Sequence, residues 1–126
     1  MNSSRPVNLN LIAVSWPVTA IASITHRISA VIVWIGAGFL MAALWFATAS
    51  EAGFQTIADL LAGNFLAQFV AWGLLTATGY YCFGTIKHVL QDLGYFETFS
   101  GGKAISWTAL VLGVIVSIAS GVLIWA

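Results

Sequence analysis

Three long apolar stretches without charged residues dominate the sequence. They cover residues 28–48, 65–86 and 105–126, and none of them contains Asp, Glu, Lys or Arg. A bilayer core about 30 Å thick is crossed by an α-helix of roughly 20 apolar residues. The stretches are apolar on every side, whereas strands of a membrane barrel alternate polar and apolar residues. The sequence therefore predicts an all-α integral membrane protein with three transmembrane helices, in a single membrane-anchor domain over residues 1–126.

The few charged residues predict how the chain is oriented in the membrane. Basic residues precede the first apolar stretch and flank the second connection, whereas the first connection, a loop at about residues 50–63, carries only acids. The basic residues are Arg5, Arg27, Lys87 and Lys103, and the acids are Glu51 and Asp59. Lys and Arg are enriched in cytoplasmic loops. We therefore expect a cytoplasmic N-terminus and second connection, with the C-terminus outside.

The chain supplies little redox chemistry of its own. Its single cysteine, Cys82, allows neither an internal disulfide nor a cysteine-ligated cluster. The sequence contains no phosphate-binding loop, no Gly-rich dinucleotide motif and no paired carboxylates within the apolar stretches. We therefore assign no catalytic residue to this chain, and expect any redox chemistry to come from a cofactor or a partner.

Three polar side chains stand at the border of the first apolar stretch. Ser23, His26 and Arg27 are spaced i, i+3 and i+4, so they share one face of a helix that Pro17 is well placed to begin. A hydroxyl, an imidazole and a guanidinium suit a quinone carbonyl that gains charge on reduction, or a haem propionate. The alternative is an arginine that reaches lipid phosphates beside a capping serine and an interfacial histidine.

A second polar face lies at the end of the second apolar stretch. Tyr81, Thr85 and His88 recur at i, i+4 and i+7. His88 is suited to be a haem ligand, a proton donor at a quinone site or an interfacial histidine in contact with water, and its position alone favours the last.

Residues at long, fixed spacings, several of them polar, carry a family resemblance. They are Arg5-Pro6-Val7, Leu11, Val18, Ser23, His26-Arg27, Ser29 and Asp92-x-Gly94-Tyr95. With the three-span plan, this pattern resembles the cytochrome b membrane-anchor subunit of succinate dehydrogenase over nearly the whole chain. The resemblance implies a flavoprotein subunit, an iron-sulfur subunit and a second small membrane anchor as partners, with ubiquinone as substrate, in a bacterial inner membrane.

The resemblance also implies roles for individual residues. Ser23 and Arg27 match positions that line the quinone pocket, while His26 and Arg27 match positions near a haem propionate. The family's haem b is shared with the second anchor. This chain departs from the pattern at Tyr81, where the family has an axial histidine seven residues before His88.

Four outcomes for the haem remain open at this point. His88 is the ligand, Tyr81 is the ligand, the second anchor supplies the main ligand, or haem is absent. His26, Arg27 and the small residues Gly73, Ala77 and Gly84 favour a bound haem, because they leave polar contacts and space. Gly73 and Ala77 also form a small-xxx-small pair that lets helices approach closely, which is their simpler role.

Two other functions compete with a quinone-reactive subunit. One is a purely structural anchor or assembly subunit, in which Ser23 and Arg27 face lipid headgroups. The other is a small transporter, for which three spans without intramembrane acids offer little pathway.

Overall fold

Four α-helices make up the part of the chain that the structure describes. The computed structural model describes residues 15–126, and the helices are α1 (Val18–Ala49), α2 (Glu51–Gly63), α3 (Phe65–Asp92) and α4 (Phe99–Trp125). The predicted positions before residue 15, Arg5-Pro6-Val7 and Leu11, lie outside the described residues. The all-α fold predicted from the sequence is confirmed.

The helices differ in whether their length and hydropathy allow them to cross a membrane. Within residues 15–126, α1 and α4 are each long and apolar enough, and α2 with α3 meets the same criterion only as a pair bent by 86°. The described chain therefore has two candidate spans, or three if the bent pair counts as one. The orientation of the termini stays a prediction.

Helix α1 begins well before the apolar stretch that predicted it. Pro17 is the N-cap residue, one position before the first helical residue, and its carbonyl accepts hydrogen bonds from the amides of Ala20 and Ile21 at 3.0 and 3.1 Å. Proline is tolerated here because the first amides of a helix lack partners within the helix. The early start places Ser23, His26 and Arg27 inside α1.

The first connection is a helix, and the loop predicted at residues 50–63 was wrong. Ser50 caps α2, because its hydroxyl accepts a hydrogen bond from the Gly53 amide at 2.9 Å. Glu51 in the first turn complements the positive end of the helix dipole. Asn64 then caps α3 through the Ala67 amide at 3.0 Å, so one residue separates the two helices at their bend.

Small residues form the interior, and large apolar residues face outwards. Ala22, Ala77 and Ala109 are buried, whereas the Trp34 side chain on α1 is 82% exposed. This distribution suits a helix bundle in lipid, where close backbone contact rather than the burial of large side chains drives association. α3 packs against both α1 and α4.

The close helix contacts do not follow the predicted small pair. Ala77 is buried, but no atom lies within 4 Å of the place where a Cβ of Gly73 would be. The contacts form instead at Gly113, which packs on the Tyr80 ring, and at Gly79, which packs on Val116. Gly73 therefore does not bring helices together within the described chain.

Candidate functional site

The His26 ring is surrounded by the polar face of α3. It stacks on Tyr81 with 4.9 Å between ring centroids and an interplanar angle of 6°, and it lies 4.9 Å from the His88 ring at 30°. Its Nε2 is 3.3 Å from Thr85 Oγ1. The structure thus brings one predicted residue of α1 together with the predicted polar face of α3. We call this group the ring cluster: His26, Tyr81, Thr85 and His88.

The ring cluster depends on the absence of a side chain at residue 84. A Cβ on Gly84 would collide with Cδ2 of His26 and lie 2.9 Å from Cγ of the same ring. Gly84 lies one turn from both Tyr81 and His88 on the same face of α3. The imidazole of α1 therefore lies directly against the α3 backbone between the two other rings.

Hydrogen bonds assign the tautomer of His26. The Thr85 hydroxyl donates its only proton to the Tyr81 carbonyl at 2.8 Å, so its oxygen accepts from His26 Nε2. In this arrangement Nε2 of His26 carries a proton. That nitrogen has no lone pair for a metal.

His88 has the opposite arrangement. Its Nδ1 lies 2.7 Å from the Gly84 carbonyl oxygen. A carbonyl only accepts, so Nδ1 carries the proton and, in the neutral ring, Nε2 keeps a lone pair. Histidines that bind metals are commonly oriented by such a bond from the second nitrogen to a backbone carbonyl.

Ser23 and Arg27 lie on α1 next to the ring cluster but outside it. Arg27 is exposed and Ser23 is half-buried. Among residues 15–126, neither side chain makes a hydrogen bond or an ion pair. The guanidinium therefore offers all of its donors to a group outside the described chain.

Thr25 and Tyr80, which the sequence analysis did not single out, join α1 to α3 beside the ring cluster. The Tyr80 hydroxyl is 2.6 Å from Thr25 Oγ1 and donates to the Ala22 carbonyl at 3.1 Å. Both residues directly adjoin members of the ring cluster in sequence. The pair therefore fixes the register in which His26 meets α3.

Lys87 is placed differently from the sequence prediction. The sequence predicts that Lys87 flanks a loop, but the residue lies within α3 and its side chain is only 6% exposed. Its ammonium donates to Gln91 Oε1 at 3.0 Å. The charge pattern used for the orientation thus loses one of its exposed cations.

Comparison with known proteins gives the chain a family. The sequence model of the succinate dehydrogenase/fumarate reductase transmembrane subunit family matches residues 1–120. The succinate dehydrogenase cytochrome b556 subunit of Coxiella burnetii (strain RSA 493 / Nine Mile phase I) is 36% identical over 125 residues, which cover 99% of this chain and 100% of the relative. The chain belongs to the succinate dehydrogenase/fumarate reductase transmembrane subunit family. The resemblance seen in the sequence is confirmed.

A haem b, as the family resemblance implies, can be tested against the residues of the ring cluster. Such a haem takes an imidazole nitrogen as an axial ligand and cationic donors at its propionates. His88 Nε2 and the Arg27 guanidinium are groups of these kinds. Tyr81 is the weaker candidate for the ligand of the haem iron, because its ring stacks on His26 and its hydroxyl makes no hydrogen bond within residues 15–126. The residues present fit a haem through His88.

Proposed function

We propose that this chain is the cytochrome b membrane-anchor subunit of a bacterial succinate:quinone oxidoreductase and forms part of its ubiquinone-reduction site. Membership of the family supports the anchor role. The exposed Arg27, without a partner in the described chain, supports the quinone role. The chain is not catalytic by itself, because the electrons come from partner subunits.

Arg27 and Ser23 would bind the quinone head group. Reduction of a quinone to a quinol adds two electrons and two protons, and negative charge develops on its carbonyl oxygens on the way. A guanidinium donates charge-assisted hydrogen bonds to such an oxygen, and the Ser23 hydroxyl, one turn away on the same face, is a second donor. The rigid α1 helix holds both donors in fixed relation.

His88 would bind a haem b, and Arg27 would pair with a propionate. A bound haem supplies a one-electron carrier next to the quinone. The name of the relative, a cytochrome b556 subunit, supports the presence of haem. His26 would act at the haem edge, with its ring held by Tyr81, Thr85 and His88. Tyr81 is the second candidate ligand.

The partners would be a flavoprotein subunit, an iron-sulfur subunit and a second small membrane anchor. The second anchor would share the haem, since the His88 imidazole would supply only one ligand to the iron. The complex would lie in the bacterial inner membrane, with the Arg27 end of the bundle on the cytoplasmic side.

The Arg27→Leu variant tests the quinone role. Hydrogen bonds to charged groups contribute about 1.5–3 kcal/mol, so we expect ubiquinone reduction by succinate to fall about 10- to 100-fold. Succinate oxidation with a water-soluble artificial acceptor should persist, because electrons then leave before the membrane subunits. Lys103→Leu is the matched control, since it removes an exposed cation from α4. Unchanged quinone reduction in Arg27→Leu would refute the assignment.

The same exposed guanidinium also favours a second candidate, a purely structural anchor whose Arg27 binds lipid phosphates. In that case Arg27→Leu lowers the amount of flavoprotein retained in washed membranes, and turnover per retained complex stays normal. Measuring retained flavin and quinone reductase activity in the same membranes separates the two functions.

A further inference from the structure

We propose that α2 lies in the plane of the membrane surface, at the end of the bundle away from the ring cluster, with its apolar face buried in lipid. α3 then crosses the bilayer by itself. The proposal does not depend on the quinone or haem roles, and it decides whether the bent pair α2 and α3 is one span.

The connections of α2 hold both of its ends at one membrane border. Only Ser50 separates α2 from the end of α1, and only Asn64 separates it from the start of α3. Its 13 residues are about 20 Å long at 1.5 Å per residue, too short for a core of about 30 Å. The 28 residues of α3 are about 42 Å long, which is enough length to cross that core without α2. The bend of 86° turns α2 across the direction of α3.

The sequence of α2 has two distinct faces. With 3.6 residues per turn, polar and apolar side chains fall on opposite sides of the helix. The polar face consists of Glu51, Gln55, Thr56 and Asp59, and the apolar face of Phe54, Ile57, Leu60 and Leu61. An amphipathic helix of this kind binds at the boundary between headgroups and acyl chains.

Contacts with the neighbouring helices fix the rotation of α2. Gly53, at the edge of the apolar face, packs on the carbonyl oxygen of Phe46, about one turn inside the end of α1. The Gln68 side chain on α3 donates to the carbonyls of Leu61 and Ala62 at 3.1 and 3.2 Å. Because Phe46 lies inside the candidate span α1, this contact turns the apolar face of α2 towards the level that α1 crosses.

Within residues 15–126, protein covers the apolar face only in part, at the half-buried Ile57. Phe54 is 57% exposed and Leu61 is 49% exposed. Phe46 near the end of α1 and Phe65 at the start of α3 are exposed as well, so lipid that covers those helices would also reach α2. α2 carries no Lys or Arg, so apolar burial rather than attraction to anionic headgroups would hold it there.

Aromatic residues mark the same border. Phe65 stacks on Trp125 at 6.2 Å between centroids, and Trp125 Nε1 donates to Gln68 Oε1 at 3.0 Å. Tryptophan is enriched at the level of lipid headgroups. Gln68 thus connects α2 with the tryptophan at the end of α4.

Spin labels on the two faces of α2 test the proposal. The assembled complex, carrying Cys82→Ser and either Leu61→Cys or Asp59→Cys, is labelled with a nitroxide in phosphatidylcholine vesicles. Oxygen concentrates in lipid, and an uncharged nickel chelate stays in water. We expect the ratio of oxygen to nickel accessibility to be severalfold higher at residue 61 than at residue 59.

A second pair, Phe54→Cys and Gln55→Cys, should show the same contrast and covers the case in which one substitution prevents assembly. Equal ratios on both faces would overturn the proposal. So would an apolar face closed to both reagents, which would assign it to a partner subunit or a second copy. High oxygen accessibility at residue 59 would also overturn it and make α2 part of a buried span.

Discussion

Space for the His26 ring exists because residue 84 is glycine. The ring occupies the place that a Cβ would fill, and it touches the flanking residues Tyr81 and His88 on the same helix face. A methyl group at residue 84 would therefore displace the His26 imidazole and disturb its contacts with Tyr81 and His88.

We expect Gly84→Ala to destabilise the complex and impair quinone reduction. Overpacking of a tight contact costs about 1–3 kcal/mol, and the better helix propensity of alanine, about 1 kcal/mol, offsets only part of this cost. The matched control is Gly73→Ala on the same helix, where no atom lies within 4 Å of the added carbon. Thermal unfolding of both purified complexes measures the difference, and equal midpoints would contradict the contact.

The two candidate haem ligands differ in what their neighbours leave free. His88 has an unprotonated Nε2 because Nδ1 donates to the Gly84 carbonyl. We expect His88→Ala to remove or shift the b-type absorption in a reduced-minus-oxidised spectrum of the complex, and Tyr81→Phe to leave it in place. The reverse result would make Tyr81 the ligand, and the absence of a b-type band in the unsubstituted complex would remove the haem from the proposal.

At the scale of elements, the register between α1 and α3 depends on one hydroxyl pair. Tyr80 bonds to both Thr25 and the Ala22 carbonyl from a buried position. Interhelical hydrogen bonds in membranes contribute about 0.6–2 kcal/mol. We expect Tyr80→Phe to lower the unfolding free energy by an amount in this range, measured by denaturant titration in mixed micelles.

Tyr95→Phe is the control for this variant, because Tyr95 is exposed in the turn after α3. The two substitutions delete the same atom. A loss of stability that is equal in both variants would show that the register does not depend on the Tyr80 hydroxyl.

The sequence predicts the long helices well because charge-free apolar stretches of membrane length have few alternatives. It does not predict α2 as a helix, although Ser50 and Glu51 are ordinary signals for a helix start, because its 13 residues are too few for a span. The face of Tyr81, Thr85 and His88 follows from spacing. Its contact with His26 does not, because helices that are apolar all round have no sequence pattern that sets their rotation.

At the scale of the whole molecule, the direction of the helices in the bundle decides on which sides of the membrane the termini lie. If α3 crosses the membrane alone, the chain has three spans and its ends are on opposite sides. The bundle agrees with this arrangement, because α1 and α4 begin at the same end, where Gly102 lies beside Thr19, and α4 ends beside Gln68 at the other. The burial of Lys87 weakens the argument from charge, which leaves Arg27 and Lys103 as the exposed cations of residues 15–126.

Labelling of single cysteines from one side of the membrane measures this topology. In a Cys82→Ser background, Glu97→Cys lies in the connection between α3 and α4, and Ala126→Cys lies at the end of α4. We expect an impermeant maleimide to label residue 126 in intact cells and residue 97 only in inverted vesicles, because α4 separates the two positions. Labelling in denaturing detergent shows that both thiols react once exposed. If residue 97 reacts in intact cells and residue 126 only in inverted vesicles, the chain has the opposite orientation, and the Arg27 end of the bundle cannot meet the proposed iron-sulfur partner on the cytoplasmic side.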